Sequence, residues 1–185
     1  MKSFKQFITE EEEEIIIPKV HMWSALLSGD KNQIIAALRS PNVTKEHIDW
    51  VMKHRDSDVV ELALESPHHT KEHVDLAMKH RDSDIVIVAL QSPHHTEEHV
   101  DLGMKHRSSA VAIAALESPH HTKEHVDFAM RNRDTSVVIA AIHSPHATKE
   151  QISDAINKFS GTWLAYEVQR ILDKRNNDDE ESQEP

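Results

Sequence analysis

Five Ser-Pro pairs begin at Ser40, Ser66, Ser92, Ser118 and Ser144, each 26 residues after the one before, and the residues between them repeat almost letter for letter. The copy from Ser66 reads SPHHTKEHVDLAMKHRDSDIVIVALQ, and the copy from Ser118 reads SPHHTKEHVDFAMRNRDTSVVIAAIH. A period of roughly 20 to 50 residues marks a stacked repeat architecture, because one such unit cannot bury its apolar face alone. No other feature of the 185 residues leaves so little choice of fold.

Each copy reads as two short helices. In the copy from Ser66, Thr70 is an N-cap, Glu72 stands in the first turn, and Val74, Ala77 and Met78 form an apolar stripe at i, i+3, i+4. Lys79, His80 and Arg81 then supply the cations that suit a helix C-terminus. Asp82-Ser83-Asp84 caps a second helix with the stripe Ile85, Val86, Ala89 and Leu90. Ser92-Pro93 ends it, since proline lacks a donor and pushes the residue before it out of the helical region.

Val43 with Ile48, and Ala147 with Ile152, flank Thr44 and Thr148 as hydrophobic staples. In the three middle copies the residue before the cap is His69, His95 or His121, which places those side chains across the helix entrance. Helices of two or three turns do not hold alone in water, so stability must come from neighbouring units. With only three glycines, and repeats rich in Ala, Val, Leu, Glu and Lys, the composition agrees with helix.

The repeat can be followed backwards, with His21 matching His47, Asp30 matching Asp56, and Ala37-Leu38 matching Ala63-Leu64. This is a worn first unit, as expected where a stack must face solvent. After Ile156 the period breaks. Trp163, Leu164, Tyr166, Val168, Ile171 and Leu172 predict a closing amphipathic helix from Gly161 to Lys174 whose large side chains seal the last face. Residues 1–14 read as a flexible segment, 15–174 as the repeat array, and 175–185 as an acidic disordered tail. The expected fold is all-α, an α-solenoid of about six 26-residue two-helix repeats.

The unit resembles the leucine-rich repeat variant, a relative of HEAT-like helical repeats, in Arg81-Asp82-Ser83-Asp84 through Ser92-Pro93 and in Thr96-Glu97-Glu98-His99-Val100. The resemblance implies a right-handed superhelix with two helices per unit. It does not extend to the cysteine-bound Fe–S cluster of some members, because the chain has no cysteine. The opening residues MKSFKQFITE resemble the targeting peptide of internal head proteins of T-even-type bacteriophages, with Ile8-Thr9-Glu10 matching the cleavage signal of that family and the cut after Glu10. That resemblance implies a phage-encoded protein of the host cytoplasm or the virion head interior.

Histidine is the residue type that invites chemistry. There are sixteen, on a chain of formal charge −11, so full protonation would carry the molecule to +5. His68, His69, His73, His94, His95, His99, His120, His121 and His125 recur in register and are the candidate metal ligands, with a meeting of His73 and His94 or His95 as one arrangement. The bland alternative is that they are solvated or capping. Lys53, Arg55, Lys79, Arg81, Lys105, Arg107, Arg131 and Arg133 form a basic ladder that could follow a phosphate backbone. Dipole complementation and salt bridges to the neighbouring Asp56, Asp58, Asp82, Asp84 and Asp134 are the stronger account, because they explain both signs of charge at once.

Asp75, Asp101 and Asp127 read as surface acids. No Gly-flanked serine, cysteine or Gly-rich phosphate loop is present, and no run reaches the roughly 18 apolar residues of a membrane span. The expectation is a non-catalytic scaffold without cofactor, holding an unidentified protein partner, with oligomeric state open. Nucleic-acid binding through the ladder is the alternative, and a metal- or pH-responsive histidine module the third.

Overall fold

The computed structural model describes residues 17–181. Met1–Ile16, including the processing signal at Ile8 and Glu10, and residues 182–185 lie outside that description, as do the side chains of Leu164 and of residues 177–181. Among the described residues there is no strand: a 3₁₀ turn (Lys19–His21) is followed by twelve α-helices. The chain divides after His95 into two compact units.

The first unit holds α1 (Met22–Leu26), α2 (Lys31–Leu38), α3 (Lys45–Val51), α4 (Ser57–Glu65), α5 (Lys71–Ala77) and α6 (Ser83–Gln91). The second holds α7 (Glu97–Met104), α8 (Ser109–Glu117), α9 (Lys123–Ala129), α10 (Thr135–His143), α11 (Lys149–Lys158) and α12 (Trp163–Glu181). In the first unit α2, α4 and α6 stack in series, while α3 packs on α4 and α5 on α6. The second repeats the scheme, with α8 on α10, α7 on α8 and α9, and α11 and α10 against α12. This is helical-repeat packing, one thin layer per repeat.

The sequence pattern accounts for each element. Thr44, Thr70, Thr96, Thr122 and Thr148 are the extended N-caps of the first helices. Asp56, Asp82 and Asp134 cap second helices by accepting from the amide two residues on. Ser66, Ser92, Ser118 and Ser144 end the second helices in extended conformation, as the following proline requires.

The stripes are buried as spaced: Val74, Ala77, Ile85, Val86, Ala89 and Leu90 are all at most 2% exposed. Each buried valine or leucine contributes about 1.5–3 kcal/mol, and this shared burial supports helices too short to stand alone. The staple residues Val43 and Ala147 are buried, over the fully buried Ile48 and Ile152.

Two expectations change. The first helices end before the basic residues: α5 stops at Ala77, with Met78 as its C-cap, so Lys79, His80 and Arg81 belong to the connecting turn. The closing helix runs past Lys174 to Glu181. Arg175 holds it there by donating to the carbonyls of Ala147 (2.6 Å), Ile142 (3.0 Å) and Ser144 (2.5 Å), which anchors a turn that composition alone reads as tail. Of its described large side chains only Val168 is fully buried, at 1%, while Trp163 and Tyr166 are 73% and 75% exposed. Gly161, at φ 79°, makes the reversal between α11 and α12, a conformation that glycine adopts without steric cost.

Candidate functional site

Fourteen of the sixteen histidines, all but His21 and His143, form four classes by position in the repeat, and three of the classes serve the backbone. The first comprises His47, His73, His99 and His125, each at the third position of a first helix and at most 5% exposed. Every one accepts the amide hydrogen of its capping threonine at Nδ1, at 2.9 Å. This is a capping box with imidazole in place of the usual Glu or Gln. Since Nδ1 accepts, the proton sits on Nε2, which in His73 donates to Asp49 at 2.7 Å and in His125 to Asp101 at 3.0 Å. Each of these bonds joins one first helix to the first helix of the preceding layer.

The last copy carries Gln151 in the same place. Its Oε1 accepts from the Thr148 amide at 2.8 Å and its Nε2 donates to Asp127. The box therefore needs an acceptor and a donor on one rigid arm, and imidazole and amide both provide them. Aligning His73 with Gln151 in the sequence was the signal that could have revealed it. Asp101 and Asp127, read from sequence as surface acids, are interlayer acceptors, as is Asp49. The Lys45 ammonium and then the His73 imidazole hold the Asp49 carboxyl below its usual range.

The second class, His69, His95 and His121, binds with the opposite tautomer. Nδ1–H donates to the carbonyl of Ser66 (2.7 Å), Ser92 (2.5 Å) or Ser118 (2.6 Å) at the start of its own turn. Nε2 then accepts from the hydroxyl of Ser92 (to His69) or Ser144 (to His121), at 2.7 Å in both. His69 and His95 are buried at 7% exposure, so the solvated reading fails for this class as for the first.

In the third class, His54, His80 and His106 accept at Nδ1 from the amides of Asp56, Asp82 and Ser108, each at 3.1 Å, where the fourth full copy uses Asn132 Oδ1 at 2.9 Å. Only the fourth class, His68, His94, His120 and His146, is exposed. Within it, His94 meets the edge of His69 at 4.8 Å and His146 that of His121 at 4.9 Å.

The expected meeting of His73 with His94 or His95 does not form: the Nδ1 lone pair of His73 is held by Thr70 and its Nε2–H by Asp49. Among the described residues no three His, Asp or Glu side chains converge as a cation site.

The basic ladder is exposed throughout. Its expected salt bridges are absent: among the described residues none of the eight cations has an ion pair. Of the aspartates expected opposite them, Asp56, Asp82 and Asp134 are engaged elsewhere. Asp56 caps α4 and pairs with Lys31 at 3.1 Å, and Asp82 accepts from Ser57 at 2.6 Å. Asp134 accepts from Ser109. Those contacts, with Lys31 and Ser57 first, hold the carboxyls of Asp56 and Asp82 below their usual range.

Three residues before Lys53, Lys79, Lys105 and Arg131, the first cation of each ladder pair, stands a large apolar residue outside the buried stripe. Leu76, Leu102 and Phe128 are 48%, 51% and 50% exposed, and Trp50 holds the same place half-buried. The amides of Lys53, Lys79, Lys105 and Arg131 bond back to the carbonyls of these four residues at 3.0–3.2 Å, so each apolar–basic pair sits on one helical turn.

Burial holds the His47 imidazole below its ordinary value. The unfolded chain then binds more protons than the folded one, so the contribution of His47 is complete above about pH 6.5 and declines as pH falls from there towards the folded value. Urea titrations at pH 7.5 and 5.5 should show a smaller loss on acidification in His47→Gln than in the parent. Equal losses would remove His47 as a source of acid sensitivity.

No family model matches the chain, and no characterised protein or solved structure shows significant similarity to it. The likeness to leucine-rich repeat variants accordingly stays at the level of the repeated motif. No described helix is long and apolar enough to cross a membrane.

Proposed function

We propose that this chain is a non-catalytic helical-repeat scaffold that binds a protein partner through exposed apolar–basic pairs on first helices, present in each of its two units. The observation that carries the reading is the recurrence of Leu76, Leu102 and Phe128, about half exposed, each one turn before an unpaired cation. Exposed apolar side chains beside Arg or Lys are the composition of a binding patch, and a solvated helix face has no use for them. The test is affinity capture with the parent chain and with L76E/L102E/F128E: proteins retained by the first and lost by the second support the reading, and identical sets oppose it.

A phosphate-tracking role rests on the same cations. The net charge of −11 and the exposed Asp58 and Asp84, three residues beyond Arg55 and Arg81, weigh against it.

The resemblance of Met1–Glu10 to a head-targeting peptide adds a place, the phage head. Mass spectrometry of virions should find the chain beginning at Glu11; a virion-borne chain that keeps Met1, or absence from virions, overturns the location and leaves the scaffold role standing.

A further inference from the structure

We propose that the cleft between α10 and α12 is a second binding site, for an acidic peptide segment anchored by one large apolar side chain. This deepens the protein-binding reading by assigning a partner chemistry to a separate place. The cleft has two ends. A smaller space of about 150 Å³ is lined by Ile139, Trp163, Val168 and Ile171, with His143 and Glu167 at its edge. A larger one of about 520 Å³ is lined by His143, Arg170, Ile171, Lys174 and Arg175. His143 and Ile171 belong to both, so the two ends are continuous.

The helix explains the arrangement. Trp163, Glu167, Arg170, Ile171 and Lys174 recur at spacings of three and four, which puts them on one face. Were α12 only a cap, that face would be apolar and covered. Instead Trp163 stays 73% exposed at one end of the face, and Arg170 and Lys174 stand at the other end, on a chain of net charge −11.

Arg175 is fixed by three carbonyl bonds, so its charge is already in place. Among the described residues Glu167 is the one carboxylate lining the cleft, and it pairs with Arg170 at 2.9 Å. That pair is exposed, contributes little, and can be exchanged for an incoming carboxylate. The charge of the larger end selects an anion, and the smaller end has room for a single side chain. Together they fit a peptide in which an aromatic or large aliphatic residue precedes several carboxylates. Trp and Arg are the residue types that most often anchor such contacts.

The test is fluorescence anisotropy on the full chain at low salt, with a labelled peptide carrying one phenylalanine followed by a glutamate run. Binding is expected. It should weaken at least about tenfold when the glutamates become glutamines and again in R170Q/K174Q, while W163A should lose the preference for phenylalanine over alanine. Circular dichroism melts of these surface variants should match the parent. No binding, unchanged binding in R170Q/K174Q, or equal competition by duplex DNA would overturn the proposal.

The two surfaces separate cleanly. If L76E/L102E/F128E abolishes peptide binding and R170Q/K174Q does not, the cleft is wrong and the first-helix surface stands. Peptide binding that depends on Arg170 and Lys174, together with partner capture indifferent to Leu76, Leu102 and Phe128, gives the converse.

Discussion

A chain carrying glutamate at Leu76, Leu102 and Phe128 will fold as the parent does and lose its protein partner. All three side chains are about half exposed, so a polar replacement leaves no buried group unsatisfied, and surface changes of this kind usually fall within about ±0.5 kcal/mol. Binding is different. Truncating an interface anchor commonly costs at least 1–2 kcal/mol, and three anchors replaced by charge should weaken association by at least about a hundredfold. Capture and thermal melting on the same samples check both halves: lost partners with an unchanged melt is the expected pair of results. Retained partners would show that these side chains are exposed without use.

His73→Ala will be among the most damaging single polar-to-alanine changes in the first unit, and His73→Gln among the mildest. His73 is fully buried, caps α5 through Thr70 and ties α5 to α3 through Asp49. Alanine removes the cap acceptor, the interlayer bond and the ring volume together, a loss of about 3 kcal/mol. Glutamine restores an acceptor and a donor in the geometry that Gln151 already shows, and should cost less than about 1 kcal/mol. Urea denaturation of the two variants beside the parent decides it. Equal losses would mean that the ring volume, and not its two nitrogens, is what the fold needs.

The contrast between these residues shows how far sequence carries. Thr70, Asp82 and Ser92-Pro93 were legible because capping and proline geometry are local: the residues that satisfy a helix end lie within a few positions of it. Val74, Val86 and Leu90 were legible because a helical stripe must face a neighbour. His73 was half legible. Its bond to Thr70 is local and could be read from Gln151, whereas its bond to Asp49, and that of His69 to Ser92, depends on which layer faces which.

Sequence by itself determined the repeat, its two helices, their caps and the buried stripes, since each follows from backbone sterics and periodicity within a single copy. The tertiary structure alone decided which side chains the stack consumes and which it leaves over. It absorbed three classes of histidine and several aspartates as hydrogen-bond partners, because a buried polar group must be satisfied. With those aspartates occupied, the ladder cations stay unpaired and the apolar residues one turn before them stay exposed or half-buried.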